Sequence, residues 1–264
     1  MIDKVEGILL NKIPFKDRHL IGRLLLRNGT ILSILFFGGR GGGAKKKTSL
    51  LEVGHLLQVQ LARAKSGTQL IAAKEWVLKW QHQSIRYHYK SFNLMALYSE
   101  LIGRLAVETS ALDLSEKDAT QGEGLFILLS NALFYLEKDS SDKKTNLKRH
   151  LNYFLGKLLF HLGIYPERTQ CALCGLPLGF ENDIALSFTH GGFVLRSEVE
   201  RVEEYNFTLG QDLCAFLGFL SHSPYRLVLL EGLDKSDVAD ILFSYLCYQL
   251  SLNRNDFKSY FSTI

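Results

Sequence analysis

Leu20-Ile21-Gly22-Arg23-Leu24-Leu25-Leu26-Arg27-Asn28-Gly29-Thr30-Ile31-Leu32-Ser33-Ile34-Leu35-Phe36-Phe37 is the stretch on which the fold turns. Two apolar, β-favourable runs, Leu20 to Arg27 and Thr30 to Phe37, flank Asn28-Gly29. Asn-Gly is a strong two-residue hairpin signal, because both residues tolerate the positive φ of a type I′ turn. Working outward, Val5 to Leu10 is another β-favourable run. His55 to Arg63 alternates, with Leu57, Val59 and Leu61 on one face and Gln58 and Gln60 on the other. Leu70 to Val77 follows the turn-like Lys65-Ser66-Gly67-Thr68. Five short strands in about 75 residues, with no helical period between them, predict a small barrel or sandwich.

The period then changes. Leu94, Leu97, Tyr98, Leu101 and Leu105 recur at helical spacing, as do Leu125, Leu128, Leu129, Ala132, Leu133 and Leu136. Leu147, Leu151, Phe154, Leu155, Leu158, Leu159 and Leu162 give the cleanest amphipathic stripe, stopped by Gly163 and Pro166. Thr208 and Gln211 fit a capping box ahead of Leu213, Phe216, Leu217 and Leu220. Val238, Ile241, Leu242, Tyr245, Leu246 and Gln249 mark a last helix, with Ser236 or Asp237 near its N-cap. Residues 167–207 read as irregular. The stripes are read as a shared helical core, and none is a cofactor box.

The 264 residues are enough for two ordinary domains. With 47% hydrophobic and 22% charged residues the composition is that of a globular chain, not a disordered one. No apolar run reaches bilayer-spanning length, and Met1-Ile2-Asp3-Lys4-Val5-Glu6 lacks the order of a signal peptide. Four cysteines make no disulfide framework, so the cytoplasm is the expected compartment. Charge is uneven. Residues 1–80 hold 14 Lys and Arg against 5 Asp and Glu, a net of +9, whereas the remaining 184 hold 17 against 22, a net of −5. A basic N-terminal third suits phosphate backbones, whose binding rests on cation–phosphate attraction and counterion release. The competing reading is a solubilising surface that binds nothing.

The sharpest basic feature is Gly38-Gly39-Arg40-Gly41-Gly42-Gly43-Ala44-Lys45-Lys46-Lys47. Glycines expose backbone amides and lysines supply point charges, which suits sequence-independent phosphate contact. It is not a Walker A loop, because no Gly-Lys-Ser/Thr follows. Arg40, Lys45, Lys46 and Lys47, with Arg18, Arg23, Arg27, Arg63, Lys65 and the nearby Lys16, are the candidate DNA-contacting cations. Single-strand binders add stacking aromatics. Phe15, Phe36 and Phe37 are available, but Phe36 and Phe37 are adjacent on a strand, so one of them must face inward.

Cys171-x-x-Cys174-Gly175 is half of a tetrahedral zinc site. Only His190 lies close downstream, and Cys214 and Cys247 sit on apolar helix faces. A metal-free remnant of such a turn is favoured, with zinc on Cys171 and Cys174 as the alternative; no other cofactor is expected. There is no G-x-S-x-G, H-E-x-x-H or paired acidic motif, and the histidines are scattered, so the chain is not expected to be an enzyme.

Taken together these residues resemble the RecO family of bacterial recombination-repair proteins. Val5-Glu6-Gly7-Ile8-Leu9-Leu10 and Asp17-Arg18-His19-Leu20 look like its opening strands. Asn28-Gly29, Gly38-Gly39-Arg40 and the lysines are similar to its hairpin and basic segment. Tyr98-Ser99-Glu100-Leu101 resembles its first long helix. Leu159-x-x-Leu162-Gly163-Ile164-Tyr165-Pro166 leading into Cys171-x-x-Cys174-Gly175 is the most specific match, and Phe188-x-x-x-Gly192 and Phe257-Lys258-Ser259 extend it.

The resemblance implies an α+β multidomain chain. An N-terminal OB-fold β-barrel at 1–80 is followed by a mainly α-helical domain at 81–264, with a zinc-finger-like insertion at 167–207 in which the metal need not be present. It implies a mediator of the RecF pathway that binds single- and double-stranded DNA and anneals complementary strands. Its implied partners are RecR and the C-terminal tail of single-stranded DNA-binding protein (SSB), with which it helps to load RecA; residence at the nucleoid follows. The sequence departs from zinc-bearing members after Gly191-Gly192, where Phe193-Val194-Leu195-Arg196-Ser197-Glu198 contains no cysteine. Lys143, Lys144, Lys148 and Arg149 could rim an apolar pocket for the acidic SSB tail. The rival function is a protein-interaction adaptor whose barrel has lost DNA binding.

Overall fold

The structure is a computed structural model, describing residues 4–38, 51–62, 70–110, 123–141, 146–179, 181–229 and 236–261. The chain divides into two compact units, Met1–Lys144 with Ser259–Thr263, and Thr145–Lys258 with Ile264.

The first unit opens with β1 (Lys4–Phe15), β2 (His19–Leu26), β3 (Ile31–Phe36), β4 (Leu56–Leu61) and β5 (Ile71–Trp80). β1 pairs antiparallel with both β2 and β4, β2 with β3, and β4 with β5. A parallel pairing of β3 with β5, Ile34 opposite Ile71 and Leu35 opposite Ala72, closes the ring. The order β1-β2-β3-β5-β4 returning to β1 is that of an OB barrel, and closure removes the exposed strand edges. β1 pairs along both of its edges, and its register with β2 slips between Leu9 and Asn11, a bulge that bends the strand.

Inward residues alternate. Val5, Leu9, Leu24, Leu26, Leu32, Ile34, Phe36, Leu57, Val59, Leu61 and Ile71 form the barrel core. Gly22 leaves room for the Phe36 ring, which a Cβ at that position would meet. Ile8, Leu10, Leu25 and Ile31 have the opposite parity, yet they too are buried. This two-sided burial explains why Ile8-Leu9-Leu10 and Leu24-Leu25-Leu26 are unbroken apolar runs. The helix at Tyr89–Leu105 packs on β1.

After β5 come α1 (Ser84–Tyr87), α2 (Tyr89–Leu105), the two-residue β6 (Glu108–Thr109) and α3 (Gly124–Ser141). β6 runs parallel to β3 at Ile31 and Leu32, the part of that strand which β5 leaves free. The five barrel strands end at Trp80. The compact unit continues to Lys144, because α2 packs on the barrel and α3 packs on α1 and α2.

The Asn28-Gly29 turn differs from expectation. Only Gly29 has positive φ, at 81°, so the turn is not type I′. Gly29 N–H donates to Leu26 O and Leu26 N–H to Thr30 O, at 2.9 and 2.8 Å. This is a three-residue loop in which a left-handed glycine follows a tight turn. The Asn28 side chain accepts from the N–H and hydroxyl of Thr30 at 3.1 and 2.8 Å, which holds Asn28 out of the left-handed region.

The second unit holds α4 (Leu147–His161), the hairpin β7 (Ile184–Ser187) with β8 (Gly192–Leu195), α5 (Gly210–His222) and α6 (Ser236–Gln249). The short α7 (Lys258–Phe261) that follows belongs, from Ser259 on, to the first unit. Asn146 caps α4, accepting from Arg149 N–H at 3.1 Å. The helix ends where Gly163 predicts. Gly163, with φ 70°, donates to Phe160 O, and Ile164 donates to Leu159 O, the paired bonds of a Schellman motif. Two readings need correction. The stretch 167–207 is not wholly irregular, since it contains the β7–β8 hairpin. The Thr208/Gln211 capping box does not form: the N-cap is Leu209, without a side-chain bond, and Gln211 donates to the carbonyls of Gly179 and Asn182 instead. Among the described residues no helix is long and apolar enough to cross a membrane.

Candidate nucleic-acid interface

One end of the barrel gathers cations and rings. β1 and β2 are joined by Lys16, Asp17 and Arg18, all exposed, with Lys16 in the left-handed region at φ 50°. Phe15 and His19 face each other across the hairpin. Leu20 pairs with Phe36, so Phe37 emerges beside His19; their rings meet edge to face at 5.1 Å. Gly38 N–H donates to His19 Nδ1 at 3.1 Å. The Lys16 ammonium lies 5.5 Å from the Phe15 centroid. Phe36 is 1% exposed and Phe37 56%, so the strand sends one ring into the core and the next to solvent. The barrel end thus presents Phe15, Lys16, Arg18, His19 and Phe37, with the single acid Asp17 among them. The chain runs from there into the Gly39–Lys47 segment. Arg40, Lys45, Lys46, Lys47, Arg63 and Lys65 lie outside the described residues.

Two other candidate cations are engaged elsewhere. Arg23 donates to Glu108 at 3.1 and 2.5 Å and to the Gly103 carbonyl at 2.9 Å, in the last turn of α2. Arg27 donates to Glu6 at 2.8 Å and lies 5.4 Å from the Phe126 centroid, while Gln58 holds the other Glu6 oxygen at 3.0 Å. These contacts tie the barrel to α2, β6 and α3. Sequence reasoning overlooked His19, whose signal is its place opposite Phe15 across a short turn.

In the second unit Lys148 is exposed at the start of α4, and Arg149 donates to Leu229 O at 3.4 Å. Lys143 and Lys144 lie outside the described residues.

The Cys171–Gly175 turn is tightly built. Gly175 N–H donates to Cys171 O at 2.9 Å, with Gly175 at φ 74°, and Leu195 N–H reaches Cys171 Sγ at 3.4 Å. Burial disfavours the Cys171 thiolate, but N–H donors from Leu195, Cys174 and Leu173 outweigh it and hold the thiol below its ordinary range. His190 turns Nδ1 to the hydroxyls of Ser187 and Thr189, at 2.9 and 3.0 Å. Among the described residues no three His, Cys, Asp or Glu stand close enough to hold a metal ion. Two thiols do not fit a structural zinc, which needs four ligands.

A family model described as recombination protein O C terminal matches residues 107–255, more than half of the chain. The chain belongs to the RecO family. The DNA repair protein RecO of Chlorobium phaeobacteroides (strain DSM 266 / SMG 266 / 2430) is 24% identical over 234 residues, which is 86% of this chain and 84% of that protein. Membership of the RecO family gives the chain a role in DNA repair and recombination. The match begins at Val107, beside β6, so the N-terminal barrel lies ahead of it.

Proposed function

We propose that this RecO-family chain is a non-enzymatic recombination mediator. It binds single- and double-stranded DNA through its barrel and anneals complementary strands. With RecR it helps to load RecA on SSB-coated DNA. The observation that carries the reading is the barrel end itself: Lys16 and Arg18 exposed beside the rings of Phe15, His19 and Phe37, where the chain enters the Arg40–Lys47 segment. Cations neutralise phosphates and rings accept unpaired bases, so neither interaction depends on sequence. Annealing suits such a surface, because it leaves the pairing edges of the bases unread. Lys148, Arg149 and their neighbours are the proposed contact for the acidic SSB tail. Cytoplasmic residence at the nucleoid goes with the same reading, and no cofactor is required.

One observation favours the rival adaptor function, in which the barrel no longer binds DNA: the pairing of Arg23 with Glu108 and of Arg27 with Glu6 removes two candidate cations from the surface. Fluorescence anisotropy with labelled single-stranded DNA across a salt series decides between them. The mediator reading expects wild-type binding that falls steeply with salt. It also expects weaker binding and a shallower slope in Lys45→Ala/Lys46→Ala/Lys47→Ala and in Lys16→Ala/Arg18→Ala. A wild type that binds no DNA at low salt overturns it in favour of the adaptor.

A further inference from the structure

The elbow between α1 and α2 carries a second set of rings and cations. Its sequence is Ser84-Ile85-Arg86-Tyr87-His88-Tyr89-Lys90-Ser91-Phe92. Tyr87 is 86% exposed, Tyr89 72% and Phe92 43%. Tyr89 and Phe92 are three residues apart on α2 and share a face. Arg86 and Lys90 flank them, both exposed, and among the described residues neither has an ion-pair partner. No acidic residue occurs between Ser84 and Ser99, and none lies in the first turn of α2.

The elbow is rigidly founded. Ile85 is fully buried beneath it. Glu137 of α3 accepts from the N–H groups of Gln83, Ser84 and Ile85, at 2.8, 2.7 and 3.0 Å. That carboxylate is engaged by three backbone donors, and Arg86 and Lys90 are the elbow's own exposed charges. Tyr87 and Tyr89 stand almost clear of the core, and Phe92 beside them is partly exposed. Folding alone would be served as well by polar residues at Tyr87 and Tyr89, and exposed rings gathered within one short segment suit an interaction surface. Rings alone would suit many partners. Rings interleaved with unpaired cations, the adjoining Glu137 carboxylate being engaged by backbone donors, suit a polyanion with exposed flat faces.

From this we infer that the α1–α2 elbow is a second single-stranded DNA site, separate from the barrel end. Tyr87 and Tyr89 stack on unpaired bases, and Arg86 and Lys90 meet the flanking phosphates. The inference rests on the DNA-binding reading above and deepens it. A chain that pairs two strands gains from two surfaces, each able to hold an unpaired strand with its base edges free. Fixing the elbow backbone before DNA arrives lowers the ordering cost of binding.

The test compares four proteins on a labelled oligothymidylate by anisotropy over a salt series: wild type, Tyr87→Ala/Tyr89→Ala, Tyr87→Phe/Tyr89→Phe and Arg86→Ala/Lys90→Ala. The alanine pair is expected to bind about tenfold more weakly with an unchanged salt slope, because stacking releases no counterions. The phenylalanine pair retains wild-type affinity, since it keeps both π faces. Arg86→Ala/Lys90→Ala lowers both affinity and slope. The tyrosines are exposed, so all variants should melt with wild type. If wild type binds and the tyrosine variants bind equally well, the elbow is not a DNA site and its rings serve a protein partner, while the barrel reading stands. If wild type binds no DNA, both fall together.

Discussion

The guanidinium of Arg23 on β2 donates to the carboxylate of Glu108 on β6, at 3.1 and 2.5 Å, and binds the last turn of α2 through Gly103 O. A cation that looks available in a basic sequence is thereby a structural brace. It satisfies a carbonyl that the helix end leaves open and pins β6 beside β3.

Arg23→Ala should therefore act on stability and not on DNA. The expected loss is about 1 kcal/mol, modest because the pair is partly exposed. Chemical denaturation measures the loss, and the salt slope of DNA binding should remain that of wild type. A reduced slope would place Arg23 at the phosphates after all.

Lys16→Ala/Arg18→Ala should do the reverse. Neither side chain supports the core, so the denaturation midpoint stays put. Each lost phosphate contact should lower the single-strand salt slope by about 0.7. Phe37→Ala is expected to weaken binding at every salt concentration and leave the slope alone, as removal of a stacking ring does. Unchanged affinity in both variants would move the interface away from the barrel end.

Acid should loosen the first unit in two stages. His82 is buried, with Nε2 2.8 Å from Val53 O, and burial holds its pKa below the ordinary value. The unfolded chain then takes up a proton that the folded one resists, so stability declines as pH falls below about 6.5. Burial works against ionisation of Glu137 too, but the N–H groups of Ile85, Ser84 and Gln83 outweigh it and lower its pKa. Its contribution is complete above the unfolded carboxylate value and is lost as pH falls through the folded one. Glu137→Gln should cost about 1 kcal/mol at pH 7, after discounting for solvent, and nothing at a pH low enough to protonate the native carboxyl. Melting curves of wild type and variant that stay parallel across the acid range would rule this out.

In the second unit, Gly210→Ala should be among the most damaging single changes. A Cβ there would run into the backbone carbonyl of Ile184, so α5 and β7 could not keep their approach. A loss of about 3 kcal/mol is expected, from overpacking against an element that cannot rotate away. Cys171→Ser should also destabilise, because that side chain is 1% exposed, whereas exposed Cys174→Ser should not. A chelator should leave the wild-type melting curve unmoved. If it lowers the melting temperature, the turn has recruited a metal.

The sequence by itself determined the periods. Alternation and helical spacing are local properties, so five strands, the main helices and the Gly163 stop could be read directly. So could the opposite facing of Phe36 and Phe37, because adjacent strand residues point to opposite sides. Tertiary structure decided what depends on distant partners. Arg23 meets a carboxylate 85 positions away, and Glu137 serves a backbone donor 53 positions before it. No window of sequence contains both members of either pair. The turn at Asn28-Gly29 was settled by a side-chain bond from Asn28 to Thr30, and the closure of the barrel by a parallel contact between β3 and β5. Local residue preferences fixed the elements. Which of the described barrel cations are held inside the fold, Arg23 and Arg27 among them, was decided only by the long-range pairing of charge across the folded chain.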